Sequence, residues 1–141
     1  MAARFPLIVD GSGTPAIKEI VSGDVLDLTG LQVKLGTEAT LTDGSTVAWD
    51  VSASPIAKLT LGGNRTLSAP TNAVGSGQYI SLLVIQDGTG SRTLTWNAAY
   101  EFTADEAPTL TTTASKGDLF TFRYNGSKWL EVGRNLNLTL S

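Results

Sequence analysis

Along much of this chain, apolar and polar residues exchange places at every step. The runs Thr46-Val47-Ala48-Trp49-Asp50-Val51, Lys58-Leu59-Thr60-Leu61, Thr93-Leu94-Thr95-Trp96 and Leu119-Phe120-Thr121-Phe122-Arg123-Tyr124 show it most clearly. A period of two puts one set of side chains on a core face and the other, largely Thr, on the opposite face of a strand. No window of eleven or more residues combines helical spacing with caps, and Thr and Gly recur too often for a long helix. Turn chemistry separates the runs. Thr42-Asp43-Gly44-Ser45, Gly62-Gly63-Asn64, Asp87-Gly88-Thr89-Gly90-Ser91 and Asn125-Gly126-Ser127 each supply positive φ at low cost and are hairpin candidates. The last predicts an antiparallel hairpin of residues 120–124 with 128–132. The nearly all-apolar stretch 79–85 reads as a strand covered on both faces. Many short strands with frequent turns predict an all-β chain whose main domain is a β-sandwich or jelly roll. Gly62-Gly63-Asn64-Arg65-Thr66-Leu67 has an echo in Gly90-Ser91-Arg92-Thr93-Leu94, too little to establish a repeat array.

The first part of the chain reads differently. Leu7-Ile8-Val9 and the apolar runs 17–21 and 25–28 are strand length, broken by Asp10-Gly11-Ser12-Gly13 and Ser22-Gly23-Asp24. They carry too little apolar surface to fold alone and predict an extended N-terminal β arm over residues 1–36, ahead of a sandwich domain at 37–141. The arm's apolar side chains, Phe5, Leu7, Ile8, Val9, Ile17, Ile20, Val25 and Leu28, are the candidate docking and oligomerisation residues. They would lie on the body of their own chain, on a sister subunit or on a host particle.

Composition narrows the function. With 141 residues, 41% of them hydrophobic and only 7% aromatic, the chain supports one core filled mainly by Val, Leu, Ile and Ala. A formal charge of -3, with ten Lys and Arg scattered singly, provides no basic face for phosphate and argues against nucleic acid. Cysteine is absent, so packing and sheet ladders must supply the stability. Met1-Ala2-Ala3-Arg4-Phe5-Pro6 lacks the apolar run of a secretion signal, and no stretch is long enough to span a bilayer. The reading is a soluble protein made in a cytoplasm, with no membrane partner.

Catalytic chemistry is poorly supplied. There is no histidine, which removes the usual general base, the usual zinc ligand and the Ser-His and Cys-His pairs. Asp105-Glu106, or Asp50 with Asp87, are the carboxylate pairs left for glycosidase chemistry, but adjacent acids on a strand point to opposite faces. The glycine clusters match no phosphate-loop pattern and read as turns. Asp43-Gly44-Ser45 and Asp87-Gly88-Thr89-Gly90 lack the regular acidic spacing of a calcium loop. The sequons at Asn64, Asn125 and Asn137 are what chance gives in a Thr- and Asn-rich chain. Trp49, Trp96, Trp129, Tyr79, Tyr100 and Tyr124 would form either a sugar-stacking platform or, more commonly, core and interface anchors. The expectation is a non-enzymatic interaction protein with no metal and no cofactor.

An ordered series of segments carries a resemblance. Ala39 through Val51, with Asp43-Gly44-Ser45-Thr46-Val47-Ala48-Trp49-Asp50, is followed by Leu59-Thr60-Leu61-Gly62-Gly63-Asn64-Arg65-Thr66-Leu67. Then come Gln86-Asp87-Gly88-Thr89-Gly90-Ser91-Arg92-Thr93-Leu94-Thr95-Trp96 and Ala107-Pro108-Thr109-Leu110-Thr111. The series resembles a module of tailed-bacteriophage structural proteins across roughly residues 39–132. Arg4-Phe5-Pro6-Leu7-Ile8-Val9, with Ile17-Lys18-Glu19-Ile20-Val21-Ser22-Gly23-Asp24, is similar to the opening of phage fibre and head-surface proteins. The resemblance implies a virion component, commonly a homotrimer, without catalytic residues. Because a fibre normally continues into a long shaft, the chain's length favours a capsid decoration or cement protein on the head surface, with the major capsid protein as partner. The alternative is a tail-fibre or receptor-binding module recognising a host-surface glycan through loops such as 72–77 or 100–106.

Overall fold

The computed structural model describes Leu7–Val9, Pro15–Ile17 and residues 36–141. The chain falls into two units, Met1–Val33 and Lys34–Ser141. In the first, β1 (Leu7–Val9) pairs antiparallel with β2 (Pro15–Ile17), Leu7 opposite Ile17 and Val9 opposite Pro15. Of the candidate docking residues, Leu7, Ile8, Val9 and Ile17 lie on these strands. Phe5, Ile20, Val25 and Leu28 lie outside the described residues.

The second unit is all-β, but the expected sandwich or jelly roll is not what forms. Its strands wind into a β-solenoid of about 3 turns. Each coil contributes one strand to each of two parallel ladders. β3 (Ala39–Thr40), β5 (Ile56–Leu61) and β7 (Tyr79–Gln86) form the first; β4 (Thr46–Val47), β6 (Arg65–Leu67) and β8 (Leu94–Trp96) form the second. A third line of contact is a single parallel bridge between Asp50 and Thr71. Ala39 meets Ala57 one coil on, and Ile56 meets Ser81, so successive coils differ in length.

The reason for the difference lies in the corners. Three of the four predicted hairpin turns do not reverse the chain onto its own strand; they carry it from one ladder to the other. The Asp43 carboxylate accepts from Nε (2.8 Å) and Nη2 (2.7 Å) of Arg65, a residue of the following coil. Asn64 Oδ1 accepts the N–H of Thr93, again one coil on. These side chains join neighbouring coils rather than closing local turns, which commits the strands to parallel stacking. Only Asn125-Gly126 makes the predicted hairpin, joining β10 (Lys116–Tyr124) to β11 (Trp129–Thr139), with Tyr124 opposite Trp129 and Asn125 N–H donating to Lys128 O at 3.0 Å.

This hairpin ends the solenoid. β10 lies antiparallel on β7, closing the parallel ladder, and β9 (Tyr100–Glu101) joins the far side of β11. Alternation puts Ala57, Leu59 and Leu61 of β5 inward, with Ile80, Leu82 and Val84 of β7 and Phe120 and Phe122 of β10. Register stacks them: Ala57 on Leu82 on Phe120, and Val47 on Leu67 on Trp96. Each fully buried aliphatic side chain contributes about 1.5–3 kcal/mol. Aromatics gather at the closed end, where Trp96 packs edge-on against Tyr100, Phe102 and Phe120 at centroid distances of 5.3, 5.2 and 5.0 Å.

Asp118 interrupts this apolar interior. It occupies the inward register next to Val84, 2% exposed, and accepts three hydrogen bonds: Thr111 N–H at 2.7 Å, Thr111 hydroxyl at 2.7 Å and Asn137 N–H at 2.9 Å. Asn137 sits in a bulge of β11 at φ +59°, so the carboxylate fastens both the bulged strand and the crossing segment 109–111 to the last coil.

Candidate functional site

The outward face of the larger sheet follows from the same alternation. If Ile80, Leu82 and Val84 point in, then Tyr79, Ser81, Leu83 and Ile85 point out. Tyr79 is 51% exposed, while Ser81, Leu83 and Ile85 are half-buried. In register, Lys58, Leu83 and Leu119 form one outward row, and Ile56, Ser81 and Thr121 another. Leu140 and Leu83 close over Gly117, where an added Cβ would lie 3.0–3.1 Å from their methyl groups. Val132, Leu136 and Leu140 are exposed at 57%, 42% and 43%. The stretch 79–85, read as covered on both faces, is thus covered fully on one side only, and this unit carries an apolar outward sheet face. Pro55, Ile56, Tyr79 and Thr121 line a shallow apolar depression of about 120 Å³ on it.

On the edge away from β10, β11 pairs only with β9, at residues 129 and 130, among the described residues. Two register irregularities, opposite Thr121/Phe122 and Gly117/Leu119, twist this long edge. Glu131 and Arg134 pair on it.

The coil corners form a second, polar surface. Asp43 pairs with Arg65 and Asp87 with Arg92. The hydrogen bond from Arg65 holds the Asp43 carboxyl below the usual carboxylate range, and that from Arg92 does the same for Asp87. On the opposite corner Asp50 accepts from Ser52 and Asn72, and the Ser52 hydroxyl is the main cause of its lowered pKa. Asp50 and Asp87, weighed as a catalytic pair, are therefore each held in a local network. The Asp105-Glu106 pair gives way to another: Asp105 is raised by its hydrogen bond with Glu101, whose own carboxyl is lowered first by Lys128. Among the described residues no three His, Cys, Asp or Glu side chains are grouped to hold a metal ion.

The six aromatics do not assemble into a platform. Trp49, Trp129 and Tyr100 are buried, Tyr124 stacks on Trp129 at 4.7 Å, and only Tyr79 stands out from the surface. A groove of about 250 Å³ does open beside β8, between Ser91-Arg92-Thr93-Leu94 and the crossing segment at Pro108, Thr109, Leu110 and Thr112. Sequence reading missed both this groove and the outward apolar face. The first joins residues distant along the chain, and the second was legible only as a strand with too many apolar residues.

Parallel coils, a fastened closing hairpin and an apolar sheet face define a structural β-solenoid domain. Residues 37–129, which span all three coils, match the family described as "Putative phage tail fibre C-terminal domain", and the chain belongs to that family. It is accordingly a phage structural protein. No curated protein matches the chain.

Proposed function

We propose that this chain is a tail-fibre domain of a phage particle, that it assembles as a homotrimer through the outward face of its larger sheet, and that it meets a glycan of the host surface. The family match supports the tail in preference to the head surface, because it covers the coils themselves and not an isolated motif. The apolar side chains Ile56, Leu83, Ile85 and Leu119, spread over neighbouring outward rows among Lys58, Ser81 and Thr121, carry the assembly reading, since half-buried apolar side chains on a sheet face are more stable against another such face than against water. Of the placements expected for the arm and its docking residues, attachment to a sister subunit or to a host particle is the one proposed.

Immunogold electron microscopy of the particles with antibody to this chain tests the location. Label at the tail is the expected result; label spread over the head would restore capsid decoration, with the major capsid protein as partner. Light scattering on the purified chain tests the assembly. Three copies are expected, reduced to monomers by Leu83→Lys with Leu119→Lys; a wild-type monomer at all accessible concentrations refutes the face.

A further inference from the structure

The groove beside β8 is built in two layers. Leu94, Pro108 and Leu110 are buried and form its apolar floor, while Ser91, Thr93, Thr109 and Thr112 are exposed and form its walls. None of those four hydroxyls has a hydrogen-bond partner among the described residues. A hydroxyl donates and accepts alike, so four of them around one hollow suit a ligand that is itself a polyol.

Arg92 supplies the remaining polar group, and its direction is fixed. Nε and Nη2 both donate to Asp87 Oδ2, at 3.0 and 2.9 Å, while Asp87 Oδ1 accepts from Thr89 and Gly90 N–H. Nη1 has no partner among the described residues. Because the guanidinium charge is balanced by Asp87, the groove has no surplus charge with which to select an anion. The backbone N–H and C=O of Arg92 are themselves held by the buried Gln86 amide, each at 2.9 Å. The adjoining wall is held as firmly. Ser91 sits at φ +57° with its N–H on Thr112 O at 2.8 Å, and at Gly90 any Cβ would lie 2.5 Å from that same oxygen. A non-glycine residue kept in the left-handed region costs of order 1–3 kcal/mol and persists only where its surroundings hold it.

We propose that this groove is a subsite for one neutral pyranose unit of a host polysaccharide, its less polar face on Leu94, Pro108 and Leu110 and its hydroxyls on the Ser and Thr walls and Arg92 Nη1. This deepens the glycan-binding reading above and rests on it. At about 250 Å³ the groove lies just below the roughly 300–1,000 Å³ usual for ligand clefts, which suits a single ring. Binding of one ring is weak, with Kd on the order of 1 mM, and gains strength when several copies engage one polymer.

The test is an amide NMR titration of the full, isotope-labelled chain with methyl glucoside, methyl galactoside and N-acetylglucosamine. Saturable shifts confined to residues 91–94 and 109–112 are expected with at least one of them. The Thr93→Val, Thr109→Val double variant removes two hydroxyls at nearly constant shape; it should keep the wild-type melting temperature and weaken binding about tenfold or more. Shifts confined to residues 72–77, or none with any of the three sugars, overturn the subsite. The immunogold experiment stays independent: tail label without sugar shifts removes the subsite and leaves the fibre reading, and head label with shifts at the groove does the reverse.

Discussion

Replacing Asp118 by alanine removes an acceptor that three donors share, two of them backbone N–H groups of Thr111 and Asn137. Asn137 N–H keeps the Thr111 hydroxyl oxygen, 3.0 Å away, as a second acceptor, whereas Thr111 N–H and the Thr111 hydroxyl proton are left without one among the described residues. Each orphaned donor costs about 1–3 kcal/mol, so the expected loss is about 2–6 kcal/mol. At roughly 4–8 °C per kcal/mol for a unit of this size, even the lower end lowers the melting temperature by about 8 °C or more. Far-ultraviolet circular dichroism would follow the melt. Hydrogen exchange adds the local reading, since protection of the Asn137 and Thr111 amides should fall first while that of β5 and β7 persists. Asp118→Asn keeps one acceptor oxygen but turns an NH2 group toward a donor, and should lose more than half as much stability. A melting temperature lowered by less than about 4 °C in the alanine variant would mean that water replaces the carboxylate, and the fastening described here would be wrong.

Three further outcomes follow from the same geometry. Tyr100→Phe should leave stability unchanged or raise it by about 1 kcal/mol in a chemical melt, because the buried Tyr100 hydroxyl, like Trp96 Nε1, has no hydrogen-bond partner among the described residues. Gly90→Ala should destabilise by about 1–3 kcal/mol in the same measurement, since the new Cβ meets Thr112 O in a left-handed backbone. Asp43, Asp50 and Asp87 have lowered carboxyl pKa values when folded, so their stabilisation is present above the unfolded value of about 3.9 and is lost as pH falls below it, whereas Asp105, raised by Glu101, works in the opposite sense and destabilises as pH rises above that value. Melting temperatures between pH 7 and 3 should thus fall at the acid end, and Asp105→Asn should raise the neutral-pH value slightly; a lower value at pH 7 refutes the pairing.

The strands were legible in the sequence, but their direction was not. Alternation records which residues point inward, and Leu59 or Phe120 would alternate identically in a parallel or an antiparallel ladder. The Asx-Gly turn at residues 125 and 126 joins neighbours, whereas Asp43-Gly44 and Asp87-Gly88 occupy corners, and the difference lies in partners such as Arg65 that no local pattern shows. The echo between residues 62–67 and 90–94 came from the coil repeat, yet it aligned Leu67 with Leu94, while the ladder sets Leu67 opposite Trp96. Coils of unequal length hide the period that would have identified a solenoid. A better marker was the triplet Ser45-Thr46-Val47, Arg65-Thr66-Leu67 and Leu94-Thr95-Trp96, whose three threonines stack in register on the surface. Of the candidate site, the polar corners were visible as Asp-Gly and Gly-Gly clusters. The groove was not, because Arg92 and Pro108 become neighbours only once the third coil has closed.

The antiparallel seat of β10 on β7 gives the domain a direction of growth. A duplicated coil inserted between β6 and β7 would find a parallel partner on either side and inherit corner pairs of the Asp43 and Arg65 kind, so the unit can lengthen there without a new fold. Past β10 no such copy fits, since the ladder it would need has already turned back. Descendants of this sequence should therefore differ in how many coils precede the hairpin, and agree in the hairpin itself.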